Sequence, residues 1–341
     1  MTAEATEPTV NKDDEAMADA VTPKPLPFKI RQLRWSTWRR IIWRSVLGYI
    51  NDDGTDFAAA MTYSAVTALI PSLVVVVALV NLVTDGTAAV NAVIGILGDL
   101  GVGSIVGNSS LRSIIDSLLL GQNSAKVLLS FGLLIAVWSA SGYVSTFTRA
   151  SNRIYGVREG RPWWKLQLLE IALAAVALVL LSIGAAGLVI SGPLIDAIGD
   201  RLHAGDTARS VYSVGRWPVL IAIAIILLSL LFWIAPNVQQ PRFRWLTLGG
   251  AVALFVWAVV SFGFGVYVAN FGNYDRTYGS LGAIMAFLVW LYLSNTAILL
   301  GVEVNAEVQR GRLVQAGDVE PAAPLAPREA AGLSADDPGT P

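Results

Sequence analysis

Six apolar runs, at about residues 57–83, 126–148, 166–191, 216–236, 246–269 and 281–302, constrain the chain more than any other feature. A hydrocarbon core about 30 Å thick is crossed by about 20 helical residues, and each run is long enough. Inside lipid the backbone must satisfy its own N–H and C=O groups, and a continuous apolar run does so as a helix. The expected fold is all-α: a polytopic membrane protein built as a six-transmembrane-helix bundle. Composition agrees, with 54% hydrophobic and only 14% charged residues, against about 25% charged in soluble domains.

Lys and Arg alternate between the connections. The amino-terminal region holds Lys12, Lys24, Lys29, Arg31, Arg34, Arg39, Arg40 and Arg44, and the second connection holds Arg149, Arg153, Arg158, Arg161 and Lys165. Arg242 and Arg244 mark the fourth connection, and Arg310, Arg312 and Arg328 follow the last run. The other connections carry only Arg112 and Lys126, then Arg201, Arg209 and Arg216, then Arg276. The positive-inside rule places both termini in the cytoplasm and turns residues 84–125, 192–215 and 270–280 outward.

The ends of the chain differ from its middle. Residues 1–28 and 313–341 are rich in Pro, Ala and charge and are expected to be disordered cytoplasmic tails, flanking a membrane domain at 29–312. Residues 1–28 lack an apolar h-region, so no cleavable signal peptide is expected and the first span is expected to serve as the insertion signal. In "IRQLRWSTWRRIIWRSVLGYI", Leu33, Trp38, Ile41, Ile42, Val46, Leu47 and Tyr49 alternate with Arg at helical spacing. That pattern fits an amphipathic helix at the inner leaflet, its Arg residues meeting anionic headgroups of membrane lipids, or a helix packed on the bundle. Between spans 1 and 2, residues 84–125 show two short helical periodicities, a helical outer loop that caps the bundle or forms a lid. Pro71 inside the first span is expected to kink it. Small residues at four-residue spacing, Gly187 with Ser191, Ser261 with Gly265, and Ala297 with Gly301, are expected to let helices approach closely.

Chemistry has few places to reside. No Cys is present, which excludes disulfides and thiol catalysis. The lone His203 falls in an outward loop and reads as solvated, so no metal or other cofactor is expected. Ionisable residues in or beside a span are functional candidates. Asp56, Glu170, Glu303 and Glu307 all fall near the cytoplasmic boundary. They are expected either to pair with Arg149, Arg153 or Arg161, or to form with Asn152 and Tyr155 a polar vestibule for a cation or proton. A second pattern is an echo: "YVSTFTRASNRIYG" (143–156) and "YVANFGNYDRTYG" (267–279) share Tyr-Val, a Phe and a closing Arg-x-Tyr-Gly. The echo fits shared turn chemistry, or an inverted repeat in which Arg153 and Arg276 mark opposite mouths. The outer mouth would then comprise Tyr274, Arg276, Tyr278 and Gly279.

"DDGTDFAAAMTYSAVTALIPSL", "VWSASGYVSTFTRASNRIYGVREGRPWW" and "YGSLGAIMAFLVWLYLSNTAILLGVEVNAE" resemble the YihY/BrkB family of bacterial inner-membrane proteins over about residues 40–310. The resemblance picks out Tyr63, Pro71, Arg149, Asn152, Tyr155, Tyr267, Tyr274, Tyr278, Gly279, Trp290, Gly301 and Glu303. It implies a multi-pass plasma-membrane protein suspected of transport or envelope-lipid handling. The family once bore a ribonuclease label. That activity needs a cytosolic acid-base or metal constellation and a basic groove, since phosphate contacts dominate nucleic-acid binding; no nucleic-acid partner is expected. A transporter or lipid flippase acting on an unidentified substrate is the favoured reading. A structural scaffold and, behind it, a membrane enzyme seeded on Glu170 and Glu303 are the alternatives.

Overall fold

The computed structural model describes residues 33–81, 124–189, 205–240, 247–270, 280–316 and 325–330. Among them the structure is helical apart from one isolated antiparallel bridge between Val238 and Pro327. The seven helices are α1 (Trp35–Asn51), α2 (Gly54–Asn81), α3 (Ser124–Tyr155), α4 (Trp163–Val189), α5 (Gly205–Ile234), α6 (Leu248–Asn270) and α7 (Ser280–Ala316). Five of these, α2, α4, α5, α6 and α7, are long and apolar enough to cross a membrane. α3 is 32 residues long, about 48 Å at 1.5 Å per residue, and is diluted by Ser139, Ser141, Ser145, Thr146 and Thr148. It packs between α2 and α4, while α7 joins α6, α2 and α1.

Turn chemistry fixes the junctions. Asp53, at φ 58°, reverses the chain between α1 and α2, and the following Gly54 has no room for a side chain. A Cβ there would lie 2.4 Å from the Tyr49 carbonyl oxygen. At the end of α3, Gly156 adopts φ 69°, Gly156 N–H donates to Arg153 O and Val157 N–H to Asn152 O at 2.9 Å. This is the left-handed glycine cap that satisfies the last carbonyls of a helix. The Tyr-Gly of the first echo segment is thus a helix stop. Tyr143 of that segment is part-buried and bonded to Asn295, whereas its counterpart Tyr267 is exposed.

α6 and α7 cross closely. A Cβ on Gly249 would fall 2.0 Å from Gly301 O, and one on Gly301 would fall 2.6 Å from Gly249 O. The start of α6 is capped by Thr247, whose hydroxyl accepts from Gly250 N–H, and by Asn305, whose amide oxygen accepts from Gly249 N–H. Of the small-residue pairs, Gly301 sits at a true close approach. Gly187 and Gly265 would meet open space if given a Cβ, and Ser261 accepts a hydrogen bond from the Trp290 indole at 3.1 Å instead.

Three sequence boundaries shift. α7 runs on to Ala316, past the expected span end at 302 and domain end at 312. Pro71 lies inside the continuous α2, as Pro218 does in α5. Part of the expected carboxyl-terminal tail is packed: Leu325 is buried with the core, and residues 325–330 lie across the ends of α3 and α5. The outer loop 84–125, apart from the start of α3, and the amino-terminal tail fall outside the described residues.

Candidate functional site

A set of buried polar groups gathers where the ends of α3 and α5 meet the α3–α4 connection. The α3–α4 connection carries Glu159 and Arg161. Arg161 embraces Glu159 in bidentate fashion, Nε to Oε1 at 2.7 Å and Nη2 to Oε2 at 2.7 Å, and its Nη2 also donates to Ala235 O at 2.7 Å. The guanidinium therefore closes the orphan carbonyl end of α5 as well. Asn152 donates from Nδ2 to Glu159 and accepts from Asn237 N–H. Asn237 is fully buried; its side chain donates to Arg158 O and Glu329 O and accepts from Glu329 N–H. The arriving segment is so close to Gly160 that a Cβ there would lie 2.1 Å from Glu329 O. Lys165 pairs with Glu329 at 2.5 Å. Burial works to raise the Glu159 pKa, but hydrogen bonds from Arg161 and then Asn152 outweigh it and hold the carboxyl below the usual carboxylate range.

A second set lies along one face of α7. Glu303 is 2% exposed, and its Oε1 has no partner among the described residues. Its other oxygen occupies the space of an absent side chain at Gly48 of α1, where a Cβ would lie 2.7 Å away. The charged or ionisable groups facing it are Asp52, Glu307, Arg310 and Tyr155. Glu307 accepts from Arg44 of α1 at 2.9 Å and from Arg310 one turn on. Asp52, in the α1–α2 turn, is pushed above the usual Asp range, chiefly by burial, against the pull of Arg153 and Arg310. Glu170, also buried with an unpartnered Oε1, faces Ser145, Arg149, Arg161 and Glu159 instead.

Two turns along α7 from Glu303, Asn295 links three helices. Its Oδ1 accepts from Tyr143 Oη at 2.9 Å and its Nδ2 donates to Thr62 Oγ1 at 3.0 Å. Beside it Tyr49 and Thr296 share a hydrogen bond of 3.0 Å.

Of the residues singled out from sequence, Asn152, Tyr155, Glu170 and Glu303 are buried at this end. Arg149 lies on α3 facing the Glu170 side. Arg153 is exposed and pairs with Asp53 at 3.3 Å, with Asp52 also in its reach. Asp56 is exposed in the first turn of α2 and does not join the buried set. Arg161 neutralises Glu159 rather than Glu170, and Tyr274, Arg276, Tyr278 and Gly279 lie outside the described residues. Sequence reasoning passed over Asn237, Asn295 and Thr62, and marked Tyr143 only as the start of the echo. For Asn295 the signal was present, an amide in the middle of an apolar run, where lipid leaves it no partner but another helix.

The family model described as virulence factor BrkB matches residues 46–326. The ribonuclease-like protein YfkH of Bacillus subtilis is 33% identical over 259 residues, covering 76% of this chain and 91% of that protein. The UPF0761 membrane protein RSc1559 of Ralstonia nicotianae is 30% identical over 289 residues, 82% of this chain and 62% of that protein. The UPF0761 membrane protein RC1_0578 of Rhodospirillum centenum is 27% identical over 280 residues, 81% of this chain and 60% of that protein. The chain thus spans about three fifths of the length of these UPF0761 relatives. No solved structure matches.

Proposed function

The chain belongs to the virulence factor BrkB family of membrane proteins, and from that premise we propose that it is a plasma-membrane transporter or lipid flippase acting on an unidentified envelope substrate. The observation that carries the proposal is the pair of buried carboxylates, Glu303 and Glu170, each with an oxygen that no described group satisfies. Ionisable groups in membrane helices are costly and mark substrate, ion or proton pathways. In this reading α2 to α7 are the six spans, α3 among them. The end that gathers α1, the α3–α4 and α5–α6 connections and residues 325–330 is cytoplasmic, because it collects the Lys- and Arg-rich segments. Glu303, Asn152, Tyr155, Glu170 and Arg149 line the cytoplasmic vestibule, and the Asn295 link is its inner limit.

The ribonuclease in the name of the Bacillus subtilis relative is not part of the proposal. Arg161 and Arg44 are engaged by Glu159 and Glu307, so neither is free to hold a phosphate backbone. An enzymatic reading needs convergent acids, and Glu170 and Glu303 face separate sets of groups. A structural scaffold is the second reading, favoured by the complete burial of Ala58, Met61, Phe147 and Leu299.

The absence of Cys supplies the test. Single replacements Glu303→Cys, Asn295→Cys and Leu299→Cys are exposed to a membrane-impermeant maleimide on inside-out vesicles and on intact cells. A pathway gives labelling at positions 303 and 295 but not at 299. A protein silent at all three positions, from both sides, is a sealed scaffold.

A further inference from the structure

Residues 325–330 lie across the ends of α3 and α5, and a single side chain seats them. Leu325 is 4% exposed and belongs to the core cluster that includes Tyr155, Val302 and Ala306. Its N–H donates to Tyr155 O at 3.3 Å, and Tyr155 faces Glu303. The rest of the segment is held by polar contacts. Gln239 N–H donates to Ala326 O at 2.9 Å and Arg328 N–H to Asn237 O at 3.1 Å. These bonds flank Val238 and Pro327, which makes them the non-hydrogen-bonded pair of their antiparallel bridge. Proline fits at such a position because the ladder asks no N–H of it. Arg328 sits over the Trp233 ring, 5.5 Å from its centroid, and the side chains of the Lys165–Glu329 pair are 49% and 32% exposed.

The bundle carries a seat for this segment. Gly160 lies outside the left-handed region, so its backbone would accept any residue, yet a Cβ there would collide with the Glu329 and Ala330 backbone. Asn237 commits its side chain to Arg158 and Glu329, while its N–H reaches Asn152 of the vestibule at 2.7 Å. The segment and the vestibule wall therefore share one buried residue. A stretch with one buried apolar side chain and otherwise exposed or part-exposed residues is of the kind that opens locally while the core stays folded.

We propose that residues 325–330 are a strap that gates the vestibule: docked, Leu325 closes the entrance toward Glu303, and lifting the strap opens it. The inference rests on the vestibule reading above and assigns its regulation to this chain's own carboxyl-terminal segment.

The test follows the rate at which an impermeant maleimide labels Glu303→Cys in inside-out vesicles, mapped by mass spectrometry, in four forms of the chain. One has the native strap, one carries Gly160→Val, and one ends after Ala316. The fourth carries Val238→Cys with Pro327→Cys, oxidised before labelling; Cα atoms of such a pair lie about 4.5 Å apart, within disulfide range. Gly160→Val and the shortened chain are expected to label about tenfold faster than the native strap, the factor for loss of one or two hydrogen bonds. The oxidised pair should suppress labelling, and reduction should restore it. Leu299→Cys, buried in the core, should stay unlabelled in all four. Equal labelling of position 303 in every form overturns the strap and leaves the pathway standing. Silence at 303 in every form overturns both. Acceleration at 299 together with 303 also overturns the strap, since the segment would then hold the bundle together rather than close an entrance.

Discussion

Glu159 and Glu303 are both acids at the crowded end of the bundle, and their surroundings differ in kind. Glu159 receives Arg161 from two directions and Asn152 from a third. Glu303 is more deeply buried and has an oxygen with no described partner. A carboxylate supplied with donors holds three chain segments in register. One left without them in apolar surroundings costs stability, and that cost is best explained by a task other than holding the fold.

The comparison breaks most visibly at Arg161. Arg161→Ala strips Glu159 and the α5 carbonyls of their shared donor; removing one partner of a buried pair costs about 3–5 kcal/mol. A chemical-denaturation midpoint in detergent should fall accordingly, and the pair Glu159→Leu with Arg161→Leu should recover much of the loss. An unchanged midpoint in Arg161→Ala would make the network ornamental. Next in size is Asn237→Ala, which leaves the part-buried Glu329 N–H and C=O without their Asn237 partners, at a cost on the order of 1–3 kcal/mol. Its signature is easier proteolysis at the carboxyl terminus.

At Glu303 the expectation reverses. Glu303→Gln keeps the volume and removes a buried acid whose Oε1 has no described partner, so stability should hold within about 1 kcal/mol or improve. Function should be lost, read as failure to complement a deletion strain at normal membrane abundance. Equal loss of folded protein in Glu303→Gln and Arg161→Ala would erase the distinction between the two acids.

Acid gives a subtler separation. Glu159 titrates below its ordinary value of 4.5, so its contribution is fully present above that pH and disappears as the pH falls through the lower folded-state value. Asp52 has the opposite sign: its carboxyl is raised above 3.8, so its charged form opposes folding at neutral pH and the penalty fades on acidification. Glu159→Gln should flatten the acid limb of the stability curve, and Asp52→Asn should raise stability at neutral pH. The smallest effect belongs to Arg153→Ala. Arg153 and Asp53 are 55% and 57% exposed, a class of pair worth about 0–1 kcal/mol, and salt should abolish the difference.

Length and hydropathy made the helices legible, and charge alternation correctly grouped the connections that now share one end. Glu170 and Glu303 were legible as candidates because an acid in an apolar run has no soluble explanation, and both are buried. Arg161 was visible only as one of several cations near a boundary. Its choice of Glu159 over Glu170 depends on a turn whose shape is set by the left-handed Gly156 and by backbone arriving from residues 325–330. Gly48, which leaves Glu303 its space, carries no mark in sequence that separates it from other helical glycines. Long-range register of that sort lies in the pairing of segments, which local composition does not encode.

Asn237 acquires its last partners from a residue 92 positions downstream. In order of synthesis, every described helix is complete before Leu325–Ala330 exists, so this end of the bundle stays open through nearly the whole of translation and closes after α7 has been laid down. A chain ending at Ala316 would keep all seven helices yet present Asn237 and the crowded backbone at Gly160 to water. A quality-control protease reading unfinished membrane proteins would find its difference between nascent and mature molecules there.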